Sequence, residues 1–396
     1  MTRNNSRHLL DMLADVPDFR KCRGKRHPLQ AVLGLIVIAM MAGYRTYSAI
    51  AEYGRTYDPK LAEALGFTHK KTPCAATLHH LLKHIDVKAL EATLSQWAKN
   101  VLTQIATQEA EAIAVDGKTL IGSQRQDAVI SHLLSAVSHQ LGITLAQQPV
   151  DSKTNEIPIS KEILQALDVA GKIVTTDALL TQRSLCQDLC QADADYVMPV
   201  KANQKHLYLD IQQLFQPLSE IETTAVEERR FRNLHTDAGA HLDTYKTVEK
   251  AHGFITTRTL KASTLLNDYL TWPDLAQVYE YRCERKHTRT GEITHQTQYG
   301  ITSLIPEKAS AERLLKLRRG HWTIENLSHR TRDVIFHEDA SQVRCGNIPQ
   351  VMAALRNSVL TLLRACGYTE IAKSLRYFAA NPWQALQLMK KAHYEN

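Results

Sequence analysis

The pattern of apolar and polar positions changes character near residue 110. Before that point apolar residues recur at helical spacing. Ala31–Met41 is apolar nearly all round, and Thr46–Tyr57, Pro59–Leu65, Cys74–His84 and Val87–Ile105 each carry one apolar face. Asp, Thr or Pro precedes several of these segments, as helix starts favour. The pattern predicts an all-helical domain over residues 1–107. The apolar run from Ala31 to Gly43 is too short to cross a bilayer, so it is expected to be a buried helix. Thr77–His84 is a candidate second helix of a helix-turn-helix.

Beyond Glu109 short β-type runs begin. EAIAVDG (111–117), AVISHLLSAVSHQ (128–140) and GITLAQQPV (142–150) predict three strands, with Gly142 at a turn. EIPISKEILQALD (156–168) predicts a helix, GKIVTTDA (171–178) a strand, TQRSLCQDLCQA (181–192) a helix and DYVMPVK (195–201) a strand. The order β-β-β-α-β-α-β is that of an α/β, RNase H-like core: a mixed five-stranded sheet with flanking helices. Residues 221–303 read as a β-rich insertion into that core. Residues 310–336 read as helical for most of their length, and the C-terminal part is helical too. The expected layout is therefore a helical N-terminal domain and a catalytic domain over 108–396.

Charge sharpens the picture. The 396 residues carry a formal net charge of +7, with 22% charged and 44% hydrophobic residues, a soluble globular balance. Residues 1–110 hold 15 Lys and Arg against nine Asp and Glu, so nearly all the surplus lies there. Arg20, Lys21, Arg23, Lys25 and Arg26 form a tight run, which reads equally as a solvated loop or as a phosphate-contacting arm. Seven scattered cysteines give no disulfide framework. Cys186 and Cys190 share a helix face without the second pair a zinc site needs, so buried thiols are expected. The N-terminus shows no signal-peptide pattern, which predicts a cytoplasmic protein.

Three acids stand out by placement. Asp116 ends the first predicted core strand and Asp177 ends the fourth, which neighbour one another in an RNase H-like sheet. Glu325 lies within HWTIEN on the late helix. Carboxylates brought together repel unless a cation neutralises them, and hard oxygen ligands suit Mg²⁺ or Mn²⁺. Two such ions favour in-line phosphoryl displacement. Taken singly, each acid has an ordinary reading as a helix cap, a turn or a solvated surface residue; only the joint placement points to chemistry.

Arg318, His321, Glu325, His329 and Arg332 fall at i−7, i−4, i, i+4 and i+7, which predicts one helix face combining a metal-binding acid with phosphate-contacting cations. His321, His329 and Arg332 are candidate DNA contacts. So are Lys118 and, after the fifth strand, Lys201 and Asn203, since ligands gather at strand ends. Trp322 reads as a core anchor. DGKT (116–119) is no P-loop, because Ala112 stands where the upstream glycine is required.

These residues resemble a known family. LADVPDFRKCRGKRHPLQAVLGLIVIAMMAG and YSAIAEYG at the N-terminus, AVDGKTL, NEIPI, IVTTDAL and DADYVMPVKANQKHLY centrally, and RRGHWTIEN and DVIFHEDASQVRCGN near the end follow in order. Together they resemble the ISAs1-family insertion-sequence transposases, which include the H-repeat-associated proteins, within the IS4-like DDE group. The resemblance implies a DDE triad at Asp116, Asp177 and Glu325 with Mg²⁺ as cofactor, two ions per site. It implies transposon-end and target DNA as substrate and a homodimer on paired ends. It also implies a β-rich insertion between Asp177 and Glu325, and DNA binding by the N-terminal region. The chain departs from the family pattern at Ile121, Phe254 and Thr256. The broader signature maps onto Arg318, His321, Glu325 and Arg332 with its Tyr and first Arg missing. Those departures leave two alternatives to an active transposase: an RNase H-like nuclease that no longer transposes, and a non-enzymatic DNA-binding relic.

Overall fold

A computed structural model describes residues 7–21, 25–56, 59–68, 71–105, 111–120, 132–150, 156–216 and 242–394. Arg23, Cys22, Ile121 and positions 221–241 of the expected insertion lie outside the described residues. The helices α1 (Leu9–Met12), α2 (Leu29–Met41), α3 (Tyr47–Thr56), α4 (Pro59–Ala64), α5 (Ala75–His84) and α6 (Val87–Ile105) come first. Then follow β1 (Ala112–Thr119), β2 (His132–Ser138), β3 (Thr144–Val150), α7 (Glu156–Leu167), β4 (Ile173–Thr176), α8 (Arg183–Gln191) and β5 (Asp195–Val200). After α9 (Lys205–Phe215) come the long strands β6 (Leu242–Ala251), β7 (Phe254–Ser263), β8 (Gln277–His287) and β9 (Ile293–Thr302). The chain continues with α10 (Ala311–Thr323), α11 (Arg330–Val334), α12 (Ile348–Ala365), α13 (Ile371–Ala380) and α14 (Pro382–Met389). The β-β-β-α-β-α-β order read from periodicity is the order observed.

Two compact units divide the chain. The first holds Met1–Glu109, Asp116–Leu167 and Thr323–Asn396; the second holds Ala110–Val115 and Asp168–Trp322.

In the first unit α2 is the central rod. Every residue from Ala31 to Met41 is buried, and α3, α12, α13 and α14 pack around it. A helix apolar on all sides finds no stable place in water and takes the middle of a helical layer. No helix among the described residues is long and apolar enough to cross a membrane. Truncating a wholly buried residue such as Ile38 leaves a cavity costing about 2–5 kcal/mol. The β2–β3 hairpin packs antiparallel from His132↔Val150 to Val137↔Thr144, and α6, α7 and α12 contact β3.

The second unit is built on a mixed sheet whose strands run β1-β4-β5-β9-β8-β7-β6. β1, β4 and β5 are parallel, whereas β9 joins β5 antiparallel through Val197↔Thr302 to Val200↔Tyr299. This corrects the expectation of a core sheet that stops at five strands: the β-rich segment extends that sheet. Its root is apolar, with Leu260, Ala262, Tyr279 and Tyr281 packed against Leu314, Leu315 and Leu317 of α10.

Residues 310–336 are helical for most of their length, as expected, but the helix type changes midway. α10 ends at Thr323, Ile324–His329 is π-helical, and α11 closes at Val334. The Arg330 N–H donates to the Glu325 carbonyl, five residues back.

Deep in the first unit Glu91, Gln147, Gln350 and Asn357 form one polar cluster. Glu91 accepts hydrogen bonds from Gln147 (2.7 Å) and Gln350 (2.9 Å), and Asn357 donates to Gln147 (2.7 Å). Burial pushes the Glu91 carboxyl up to about 7, against the pull of the two amides. The unfolded chain releases this proton near 4.5 and the fold retains it to about 7, so stability falls as pH rises between those values. Glu91→Gln keeps an acceptor and removes the titration. Thermal melts should show it more stable than wild type at pH 8, by about 2–3 kcal/mol, and no more stable at pH 4.

Candidate active site

β1 begins as the apolar run Ala112–Val115, wholly buried, and ends in the polar DGKT. Asp116 is half-buried there, and its Oδ2 lies 3.8 Å from Nδ1 of His329, itself 9% exposed. Contact of that kind becomes an ion pair when the imidazole carries a proton.

Gly117 is required by its neighbours, since a Cβ there would collide with the His132 imidazole and the Glu156 carboxylate. His132 Nε2 and Glu156 Oε1 are 2.6 Å apart and almost wholly buried, while Thr119 Oγ1 lies 3.1 Å from His132 Nδ1. Sequence reading singled out NEIPI as a motif but missed the role of its Glu156, and missed His132 altogether. The available signal was a glutamate in the first turn of a helix whose face should be apolar.

Lys118 is 7% exposed, with Nζ 2.6 Å from Asp333 and 3.3 Å from Asp339. Burial raises the Asp333 carboxyl, opposed by Lys118. Arg332, also expected to contact DNA, is fully buried and pairs with Glu338 at 3.1 Å, which Arg356 meets from the other side at 3.0 Å. Burial acts to raise the Glu338 carboxyl, but Arg332 and Arg356, with Lys118, hold it below the ordinary carboxylate range. A charge removed from water needs such partners. Lys118 and Arg332 are therefore structural cations, a correction to their expected role.

In the second unit β4 is buried throughout and Asp177 follows it, half-buried. The Leu180 N–H donates to Asp177 Oδ1 at 3.0 Å, which fixes one carboxylate oxygen at the turn before α8. Asn203 donates to the Ala178 carbonyl (2.8 Å) and Gln204 to the Thr181 carbonyl (3.1 Å), so the turn after β5 braces the turn after β4. Lys201 is exposed. The parallel register pairs Ala112 with Ile173 and continues to Val115 with Thr176; in sequence Asp116 follows Val115 and Asp177 follows Thr176.

The expected cationic stripe does not form. Glu325 is exposed, whereas His329 and Arg332 are buried, because the π-helical segment breaks the 3.6-residue period. Arg318 stacks over Tyr281 at 3.5 Å and bonds to Gln298. His321 meets Thr175 Oγ1 at 3.1 Å, and burial, with Arg318 nearby, pushes it down to about 4. His321 thus already has a hydrogen-bond partner within the fold. Trp322 is 48% exposed, not the core anchor expected.

Near the N-terminus Arg20 is committed to Asp18 through two 2.9 Å bonds and to the His27 carbonyl at 2.8 Å, another correction. Lys21, Lys25 and Arg26 are exposed. Cys186 is buried and accepts from Trp272 Nε1 at 3.3 Å, whereas Cys74 and Cys345 are exposed, contrary to expectation. Among the described residues no three His, Cys, Asp or Glu side chains form a group able to hold a metal ion.

The family model described as Transposase DDE domain matches residues 107–362. The chain belongs to the transposase DDE domain family. The associated domain of that family, described as DDE_Tnp_1-associated, matches residues 10–98 of this transposase. The chain is 28% identical over 369 residues to "Putative transposase YncI" of Escherichia coli O157:H7, covering 90% of this chain and 87% of that one. It is 26% identical over 369 residues to "H repeat-associated putative transposase YhhI" of Escherichia coli (strain K12), covering 90% of each. The expected IS4-like DDE transposase of H-repeat-associated type is thus borne out. Among solved structures, the piggyBac transposase synaptic complex with hairpin DNA is similar over 98% of this chain and 82% of that chain, at 9% identity and a TM-score of 0.46.

The depressed His321 has a consequence for this transposase. The unfolded chain takes up that proton near 6.5 and the fold only near 4, so stability falls as pH drops through that window. His321→Asn should flatten the loss by about 1–3 kcal/mol in denaturant melts between pH 7 and pH 4.5.

Proposed function

We propose that the protein cleaves phosphodiester bonds at insertion-sequence ends and transfers the freed 3′ end into target DNA, using Asp116, Asp177 and Glu325. The register matching Val115 with Thr176 carries this reading, because an acid follows directly on each of the two neighbouring parallel strands. Membership of the DDE family supports it, and the β-β-β-α-β-α-β order supports an RNase H-like catalytic core over 108–396 behind a DNA-binding domain over 1–107.

Three carboxylates are hard oxygen donors, a set that fits Mg²⁺ or Mn²⁺ and not a thiolate-loving metal. When bound, two such ions would favour attack by water or a 3′-hydroxyl and neutralise charge on the leaving oxygen. The chain's own residues orient the donors. Leu180 N–H fixes one Asp177 oxygen, and His329 stands beside the Asp116 carboxylate. Behind Asp116, the His132–Glu156 pair fills the space that Gly117 leaves and holds the end of β1.

Double-stranded DNA is the proposed partner, bound by a homodimer on paired ends. Lys21, Lys25 and Arg26 are exposed and suited to phosphates, as are Lys201 and Asn203 after β5.

Asp116→Asn should lose Mg²⁺-dependent cleavage of a fragment carrying the element's ends while its DNA affinity stays within about twofold. Wild-type cleavage by that variant would remove Asp116 from the chemistry. Cleavage without joined product in the wild type would favour a nuclease that no longer transposes. Replacing Lys25 and Arg26 by Ala should lower the slope of log affinity against log salt by about 0.9 for each phosphate no longer neutralised; an unchanged slope would exclude them.

A further inference from the structure

The π-helical segment Ile324–His329 carries Glu325, and a π turn is rarer and weaker than an α turn, so something must hold it. The side chain in position to do so is Arg364 on α12. Its guanidinium donates to the Leu327 carbonyl, two residues beyond Glu325, and to the Gly142 carbonyl at 2.5 Å. Both partners are main-chain oxygens. Burial pushes this guanidinium down to about 10, with no carboxylate acting to restore it.

The third part of the arrangement is Gly142, at the β2–β3 turn with φ +64°. A Cβ there would sit 2.8 Å from Leu327 Cδ1 and 3.1 Å from Arg364 Nη1. Glycine alone permits the turn to approach both at once. A hairpin turn, a half-buried cation and a π-helical segment thus close on one another beside Glu325. Arg364 is only half-buried, and its guanidinium is spent on two main-chain oxygens and not on a carboxylate. Its use here fixes a backbone.

We propose that Arg364 is a positioning residue for Glu325, clamping the π-helical segment to the Gly142 turn so that the carboxylate is presented in one place to a divalent cation. This rests on the reading of Glu325 as the third acid. Arg364 touches neither DNA nor cation in this scheme, and its effect passes through the Leu327 carbonyl.

The test compares Arg364→Met, Arg364→Lys and Glu325→Gln in the full-length protein with DNA carrying the element's ends. Arg364→Met should lower the cleavage rate at saturating DNA by about 10–100-fold, with DNA affinity within about twofold. Mn²⁺ binding to the protein–DNA complex, followed by electron paramagnetic resonance, should weaken about 10-fold. Lysine reaches one of the two carbonyls and should restore part of both losses. If the Met variant does not fold, the Lys variant carries the comparison against wild type. Glu325→Gln should be inactive. An inactive Glu325→Gln beside an Arg364→Lys and an Arg364→Met that match wild type in rate and Mn²⁺ binding would overturn the proposal while leaving the triad standing. Full activity of Glu325→Gln would instead overturn the triad reading beneath it.

Discussion

The parallel ladder between β1 and β4 is the constraint on which the rest depends. Ala112–Val115 and Ile173–Thr176 are buried strands, so their backbone groups have no water to turn to and must pair with each other. A slip by one residue would send every side chain to the opposite face, which fixes the register. Both apolar runs end at an aspartate. The hydrophobic ladder thereby determines where the polar positions begin on each strand.

Around the end of β1 the molecule spends charge on shape. Lys118 is held by Asp333 and Asp339, and Glu338 is held between Arg332 and Arg356. The Lys118 pairs join DGKT to DVIFHEDA, two segments over two hundred residues apart in sequence. Lys118 and Arg332 read as DNA contacts in the sequence, yet both are buried members of this frame. His132 and Glu156 add a second frame beneath Gly117. Breaking one member of such a pair leaves an uncompensated buried charge, which costs more than the pair gained by forming. The charges nearest Lys118 are therefore held in pairs, whereas Lys21, Lys25, Arg26 and Lys201 are exposed.

Sequence by itself determined the elements and the family. Helical periodicity in the first hundred residues, the short apolar runs ending in Asp116 and Asp177, and the alternation of strand and helix between them are local properties, set by which residues face a core. Motif order was enough to place the chain among DDE transposases. Tertiary structure alone decided which polar residues face inward. Arg20, Lys118, His321 and Arg332 look like free cations in one dimension, and each is bound or buried by residues that sequence distance conceals. The π-helical break after Thr323 was equally hidden, because periodicity reads the 3.6-residue repeat and carries no sign of one inserted residue. Local pattern reports what each segment buries; partner choice depends on contacts between segments, and only the folded chain brings those together.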